Sequence, residues 1–210
     1  MSLEDNLADA RNALGAVRNM HIVSTNQREG RIRAAGGMEA AIQSDQRVGV
    51  RHRGRLDYVL RAMRHGLDHQ LSLRETLFSA NQTRFLGVGN CQEQCELVVE
   101  YLYARGAGPI DLMAFTAWGY DHTFVIIGLT GTSTMLREDP GTGLYRPNLR
   151  DWGPEAVWCD PWQSGGVVFA VADLIRGSVR NLDFRYKCHT AECVEEGAPK
   201  SILRVERNRL

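Results

Sequence analysis

The chain has 210 residues, of which 43% are hydrophobic and 24% charged, a composition that allows a sizeable core and excludes global disorder. The 25 Lys and Arg residues balance 25 Asp and Glu residues, so the net charge argues against a nucleic-acid-binding or membrane-surface protein. No apolar stretch approaches the roughly 20 residues of a membrane span, and residues 1–20 lack a signal-peptide pattern. We therefore expect no transmembrane segment, and either a cytoplasmic protein or one exported without a cleaved signal. The basic stretch 47–55 is interpreted as a solvated loop, with a contact for a partner or for anionic lipid as the alternative.

The N-terminal part of the chain, up to residue 85, is predicted to be a helical extension. Apolar residues recur at helical spacing over 3–19 and again over 56–69, and a shorter helix is predicted over 38–43. The sequence Ser72-Leu73-Arg74-Glu75 is a capping-box pattern, which predicts a further helix to about residue 80.

From residue 86 the pattern changes to one helix followed by short strands, which predicts an α+β core over residues 86–210. A turn ends at Asn90, and a helix then runs from Cys91 to about Arg105. The connection 130–155 is interpreted as a functional loop or an ordered excursion. With the helical extension, the whole chain is expected to form one compact domain. The remaining predicted elements are strands Ile110–Trp118, His122–Leu129, Ala156–Cys159, Val167–Val171 and Ile202–Glu206, a hairpin turn Gly119–Asp121 and a helix Ala172–Leu182.

The five cysteines, an odd number, do not form a disulfide framework and indicate reduced thiols. The spacings Cys91-x3-Cys95 and Cys188-His189-x3-Cys193 do not match the usual zinc patterns. We expect no metal and no organic cofactor. Cys95 is expected to point into the core beneath the sheet.

Three residues carry the sequence contexts that a thiol nucleophile requires. Cys91 starts a helix, where the peptide dipoles favour a thiolate. His122 opens a predicted strand and could take the thiol proton. Asp160 closes another strand and could fix the imidazole tautomer. Each alone fits a structural role, but their order and contexts together predict a catalytic triad, with Asp139 as the rival orienter.

Groups that would surround this triad are also present. Backbone N–H groups at the start of the Cys91 helix are natural donors to an oxyanion. A second donor could come from the side-chain amide of Asn90, Gln82 or Gln92, and the sequence does not choose between them. Trp118 and Trp162 flank the motifs and are candidates for walls of a substrate groove.

Three motifs carry a resemblance to a known superfamily. They are Gly89-Asn90-Cys91, the run Asp121 to Gly128, and Val157-Trp158-Cys159-Asp160-Pro161-Trp162. Together they resemble the triad motifs of papain-like and transglutaminase-like cysteine enzymes, above all those of bacterial secreted effectors and toxins. The resemblance covers about residues 85–175. It implies a papain-like core, with Cys91 as nucleophile, His122 as general base and Asp160 as orienter.

The expected function is therefore that of a thiol-dependent hydrolase acting through a thioester on a protein substrate, by peptide-bond cleavage or glutamine deamidation. An effector of this kind would act inside a host cell. Alternatives are an acyltransferase or transglutaminase with the same triad, and a non-catalytic module that binds partners through 130–155 and 47–55. Two spacings depart from the family pattern. The 31 positions from Cys91 to His122 are short for papain-type proteases and nearer to the spacing of transglutaminase-like enzymes. The 38 positions from His122 to Asp160 are longer than the usual hairpin between adjacent strands.

Overall fold

The computed structural model describes residues 1–24, 71–117, 120–130, 136–138, 145–147, 152–163, 166–176 and 200–206. These residues form an α+β fold, as the sequence predicts. Its helices are α1 (Leu3–Asn19), α2 (Leu73–Leu86), α3 (Cys91–Ala104) and α4 (Val171–Ile175). Its strands are β1 (Ile110–Ala117), β2 (Tyr120–Ile127), β3 (Leu136–Glu138), β4 (Tyr145–Pro147), β5 (Val157–Asp160), β6 (Val167–Ala170) and β7 (Lys200–Val205).

The capping box predicted for the second described helix is confirmed. The Glu75 backbone N–H donates to the Ser72 hydroxyl at 3.2 Å, and the Ser72 backbone N–H donates to the Glu75 carboxylate at 2.8 Å. This pairing satisfies two N–H groups that a helix start leaves without intrahelical partners. The helix continues past the predicted end near residue 80 to Leu86. It stops at Gly87, whose φ of 67° lies in the left-handed region that glycine adopts without strain.

Five strands form one antiparallel sheet in the order β6-β5-β2-β1-β7, and β3 and β4 form a separate two-stranded ladder within the long connection 130–155. The predicted hairpin turn, Gly119–Asp121, is longer than the turn in the structure. Tyr120 pairs with Ala117 and Asp121 pairs with Thr116, so both belong to β2. Two residues are left to join the strands, a common length for a hairpin loop.

The edges of the other predicted elements shift by a few residues. β7 begins at Lys200, earlier than the predicted Ile202, because it pairs with β1 as far as Ala114. α4 begins at Val171 and is described as far as Ile175, with residues 177–199 outside the described part of the chain. The predicted helices over 38–43 and 56–69 and the basic stretch 47–55 also lie outside it. No helix among the described residues is both long and apolar enough to cross a membrane.

Helix α3 packs on one face of the five-stranded sheet, and α1 packs against both α3 and the sheet. Apolar side chains of all three share one buried cluster, among them Leu14 of α1, Leu97 of α3 and Val125 of β2. Cys95 belongs to this cluster, as predicted. The opposite face carries an aromatic cluster in which the rings of Phe124 and Trp158 stack at 3.7 Å.

Helix α1 is fixed to the region of β2 and β5 by hydrogen bonds and by the close approach of Asn6 to Gly128. The Asn6 side-chain amide donates to the Glu155 carbonyl at 2.9 Å. It also lies where a side chain at Gly128 would stand, and Gly128 has a φ of 77°. One turn of helix further on, the Cys159 thiol donates to the Ala10 carbonyl at 3.8 Å. The N-terminal helix thus supports the strands that carry the candidate site.

Candidate active site

The three predicted triad residues lie on three elements that meet at one edge of the sheet. Cys91 is the first residue of α3, His122 is the third residue of β2, and Asp160 is the last residue of β5. Because β2 and β5 are antiparallel neighbours, the start of one lies beside the end of the other. The Cys95 thiol donates to the Thr123 carbonyl at 3.2 Å, which holds the first turns of α3 beside His122.

His122 and Asp160 form a buried contact. Nε2 of His122 lies 2.6 Å from Oδ2 of Asp160, and their side chains are 3% and 0% exposed. The second carboxylate oxygen, Oδ1, accepts from the backbone N–H groups of Trp162 at 3.0 Å and Gln163 at 3.3 Å. Both oxygens of Asp160 are therefore hydrogen-bonded, which orients the carboxylate toward the imidazole.

The charge of His122 is set by competing effects. Burial lowers its pKa because the charged imidazolium loses its hydration. The charge of Asp160, its hydrogen bond and a hydrogen bond with Cys91 outweigh burial and raise the pKa of His122 to about 10. His122 therefore carries a proton in neutral solution. Since Nε2 faces Asp160, Nδ1 is the ring nitrogen that can exchange a proton with Cys91.

The turn that precedes Cys91 is held tightly in place. A Cβ atom at Gly89 would lie 2.8 Å from Cβ of Glu93, so only glycine fits there without a shift. The Asn90 backbone N–H donates to the buried Glu93 carboxylate at 2.8 Å. The Gln94 side chain donates to the Gly89 carbonyl at 3.0 Å. These contacts leave little freedom to the backbone that presents Cys91.

Trp162 covers the His122–Asp160 pair and connects it to this turn. Its ring centroid lies 5.3 Å from that of His122, at an interplanar angle of 52°. Its indole Nε1 donates to the Ser24 hydroxyl at 3.2 Å, and that hydroxyl donates to the Asn90 side-chain oxygen at 3.0 Å. A hydrogen-bonded chain thus joins the Asp160 turn to the residue before Cys91.

The three candidates for a side-chain oxyanion donor occupy different places. Asn90 is the N-cap residue of α3, directly before Cys91. The Gln92 amide donates to Glu96 at 2.9 Å, one turn further along the helix. Gln82 lies on α2 and is half-buried. The two other sequence candidates, Trp118 and Asp139, are outside the described residues.

Glu93 and Ser24 belong to this site but were not predicted from the sequence. Glu93 follows Asn90 at the spacing of a capping box, a signal that could have identified it. Ser24 carries no such signal, because its partners lie 66 and 138 residues away.

Cys91 differs from the other described cysteines in its surroundings. It is 6% exposed, whereas Cys95 and Cys159 are completely buried. Burial, followed by the charge of Asp160, raises the pKa of both buried thiols well above the usual range. Cys188, His189 and Cys193 lie outside the described residues. Within the described ranges, no group of histidine, cysteine and acidic side chains could hold a metal ion.

No family model matches the chain, and neither the curated proteins nor the solved structures include a significant match. The described residues form an α+β fold with an antiparallel sheet, and Cys91 lies at the start of helix α3.

Proposed function

We propose that this protein is a cysteine-dependent hydrolase of the papain-like or transglutaminase-like kind. It would attack a peptide bond or a glutamine carboxamide of a protein substrate. Cys91 is the nucleophile, His122 the general acid and base, and Asp160 the residue that orients His122. The single observation that supports this most strongly is the buried 2.6 Å contact between His122 and Asp160, next to a cysteine at a helix start.

The raised pKa of His122 supports this role. An imidazolium beside Cys91 stabilises a thiolate, the form of cysteine that attacks carbonyl carbon. The N-terminal peptide dipoles of α3 add to that effect. These two effects are the proposed support for a thiolate at Cys91.

The first half of the reaction forms a thioester. The Cys91 sulfur attacks the carbonyl carbon, the C–S bond forms, and the carbonyl electron pair moves to oxygen. Backbone N–H groups at the start of α3, with the Asn90 amide, are the proposed donors to that oxyanion. When the oxyanion collapses, the C–N bond breaks and His122 gives its proton to the departing amine or ammonia.

The second half restores the enzyme. His122 is now neutral and accepts a proton from water, whose oxygen attacks the thioester carbon. The C–S bond breaks, the carboxylic acid leaves, and the thiolate–imidazolium pair forms again. Asp160 keeps Nε2 of His122 protonated throughout, so that Nδ1 exchanges the proton in both halves.

The proposal is tested by the pH dependence of iodoacetamide alkylation, resolved for each cysteine by peptide mass spectrometry. We expect Cys91 to react rapidly even well below the pKa of about 8.5 of an ordinary thiol. In His122→Ala this fast reaction should disappear. Cys95 and Cys159 are internal controls that should stay unlabelled in the folded protein. Slow labelling of Cys91 that His122→Ala does not change would refute the proposal.

A second measurement identifies the reaction. A peptide library is incubated with the wild type or with Cys91→Ala and compared by mass spectrometry. New peptide termini indicate main-chain cleavage, and conversion of glutamine to glutamate indicates deamidation. Both should be absent with Cys91→Ala, whose circular dichroism spectrum should match that of the wild type. Equal product formation by the two proteins would contradict the role of Cys91.

A further inference from the structure

A short segment after α1 lies against the turn that presents Cys91. The Val23 backbone N–H donates to the Gly87 carbonyl at 2.9 Å, and the Gly89 N–H donates to the Val23 carbonyl at 3.0 Å. These two bonds place the next residue, Ser24, beside Asn90. Ser24 is buried, so its hydroxyl lies within the protein rather than in bulk solvent.

The Ser24 hydroxyl accepts one hydrogen bond and donates another. An indole N–H can only donate, so Ser24 must be the acceptor in its contact with Trp162. The hydroxyl hydrogen is then available for the Asn90 side-chain oxygen at 3.0 Å. The Ser24 hydroxyl group therefore both donates and accepts a hydrogen bond. An alanine at this position could do neither with its side chain.

We propose that Ser24 is a positioning residue of the active site, acting through Asn90 and Trp162. With its oxygen toward Ser24, the Asn90 amide turns its NH2 edge away from Ser24. That orientation is needed if Asn90 is to donate to an oxyanion. The same hydroxyl holds the Trp162 ring over His122. This inference rests on the proposed function, since it assigns the oxyanion donor of the same reaction.

The test compares two reactions of Cys91. Acylation by p-nitrophenyl acetate passes through an oxyanion, whereas alkylation by iodoacetamide does not. In Ser24→Ala we expect the ratio of acylation to alkylation rate to fall about three- to tenfold, the range of one neutral hydrogen bond. Ser24→Thr keeps the hydroxyl and should restore the ratio. Ser201→Ala is the matched control, because it removes a hydroxyl bonded to Asp111 on the β1–β7 side of the sheet.

An unchanged ratio in Ser24→Ala would overturn the inference, and so would an equal fall in Ser201→Ala. The indole N–H signal of Trp162 in a nitrogen–proton correlation spectrum gives a readout without Cys91 chemistry. The chemical shift of this signal should change in Ser24→Ala and should match that of the wild type in Ser24→Thr. If Cys91 of the wild type reacts with neither reagent, the proposed function fails. The indole signal then still decides whether Ser24 positions Trp162, and an unshifted signal overturns it.

Discussion

Nε2 of His122 and Oδ2 of Asp160 lie 2.6 Å apart, although 38 positions separate the two residues in the sequence. Both side chains are buried. The pairing of β2 with β5 produces this contact, and the backbone N–H groups after Asp160 complete it. Asp160 makes the largest contribution that raises the pKa of His122, so a substitution of Asp160 should change the charge of His122.

The substitution Asp160→Asn should lower the pKa of His122. Burial lowers this pKa, but the charge and the hydrogen bond of Asp160, with a smaller contribution from Cys91, raise it to about 10. An amide keeps the shape and removes the charge, so the pKa should fall toward or below 6.5, the value of an ordinary histidine. The titration of the His122 ring protons by NMR measures this directly. Asp139→Asn is the control, and an equal shift in that variant would make Asp139 the orienter.

Stability should decrease as the pH rises from neutral to alkaline. The folded-state pKa of His122 is raised, so its stabilisation is fully present below pH 6.5 and is lost as the pH rises through about 10. The raised pKa values of Cys95 and Cys159 act in the same direction, because these thiols ionise more readily in the unfolded chain. Urea unfolding along this pH range should show a falling midpoint. In Asp160→Asn the fall should be smaller, and an identical fall would contradict the assignment to His122.

The buried carboxylate of Glu93 should be far more important for stability than that of Glu100. Glu93→Ala leaves the Asn90 N–H without its acceptor and is expected to cost about 1.5–3 kcal/mol. Glu100 forms a partly exposed ion pair with Arg84, and Glu100→Ala should cost only about 0–1 kcal/mol. Denaturant unfolding at neutral pH compares the two variants. If Glu93→Ala loses no more stability than Glu100→Ala, the hydrogen bond from the Asn90 N–H to Glu93 contributes little to stability.

Adding a methyl group should have opposite effects at two glycines. Gly128→Ala places a Cβ atom against the Asn6 amide at a φ of 77°, and should destabilise by about 1–3 kcal/mol. Gly15 lies within α1 with nothing within 4 Å of the added atom. Gly15→Ala should therefore stabilise by roughly 0.5–1 kcal/mol. Thermal unfolding of both proteins measures the difference, and a neutral Gly128→Ala would show that Asn6 can move away.

Local signals in the sequence predicted much of this architecture. The capping pattern at Ser72 and the helix start at Cys91 depend on a few consecutive residues, and both are confirmed. The five strands of the large sheet were predicted from short apolar runs bounded by turn residues, whereas the short strands β3 and β4 were not predicted. Element ends were less predictable. Tyr120 and Asp121 resemble turn residues, yet pairing with β1 extends the strand through them.

The parts that sequence patterns miss depend on contacts between distant segments. Nothing in the sequence near Ser24 indicates that it would lie beside Asn90 and Trp162. Their proximity depends on the segment after α1, which is hydrogen-bonded to the turn after α2. The same holds for Asn6, whose partner is the Glu155 carbonyl. A polar residue in an amphipathic helix is ordinarily solvent-exposed, and only the assembled fold reveals that this one is buried.

The packing of α1 has a practical consequence for protein engineering. A truncation that removed residues 1–24 would expose the apolar faces of α3 and β5 and delete the partner of Asn90. Loss of activity in such a shortened protein would therefore indicate damage to the turn that presents Cys91, and would not show that residues 1–24 are a separate regulatory segment. Supplying the missing helix as a peptide in trans offers a way to switch the site on by fragment complementation.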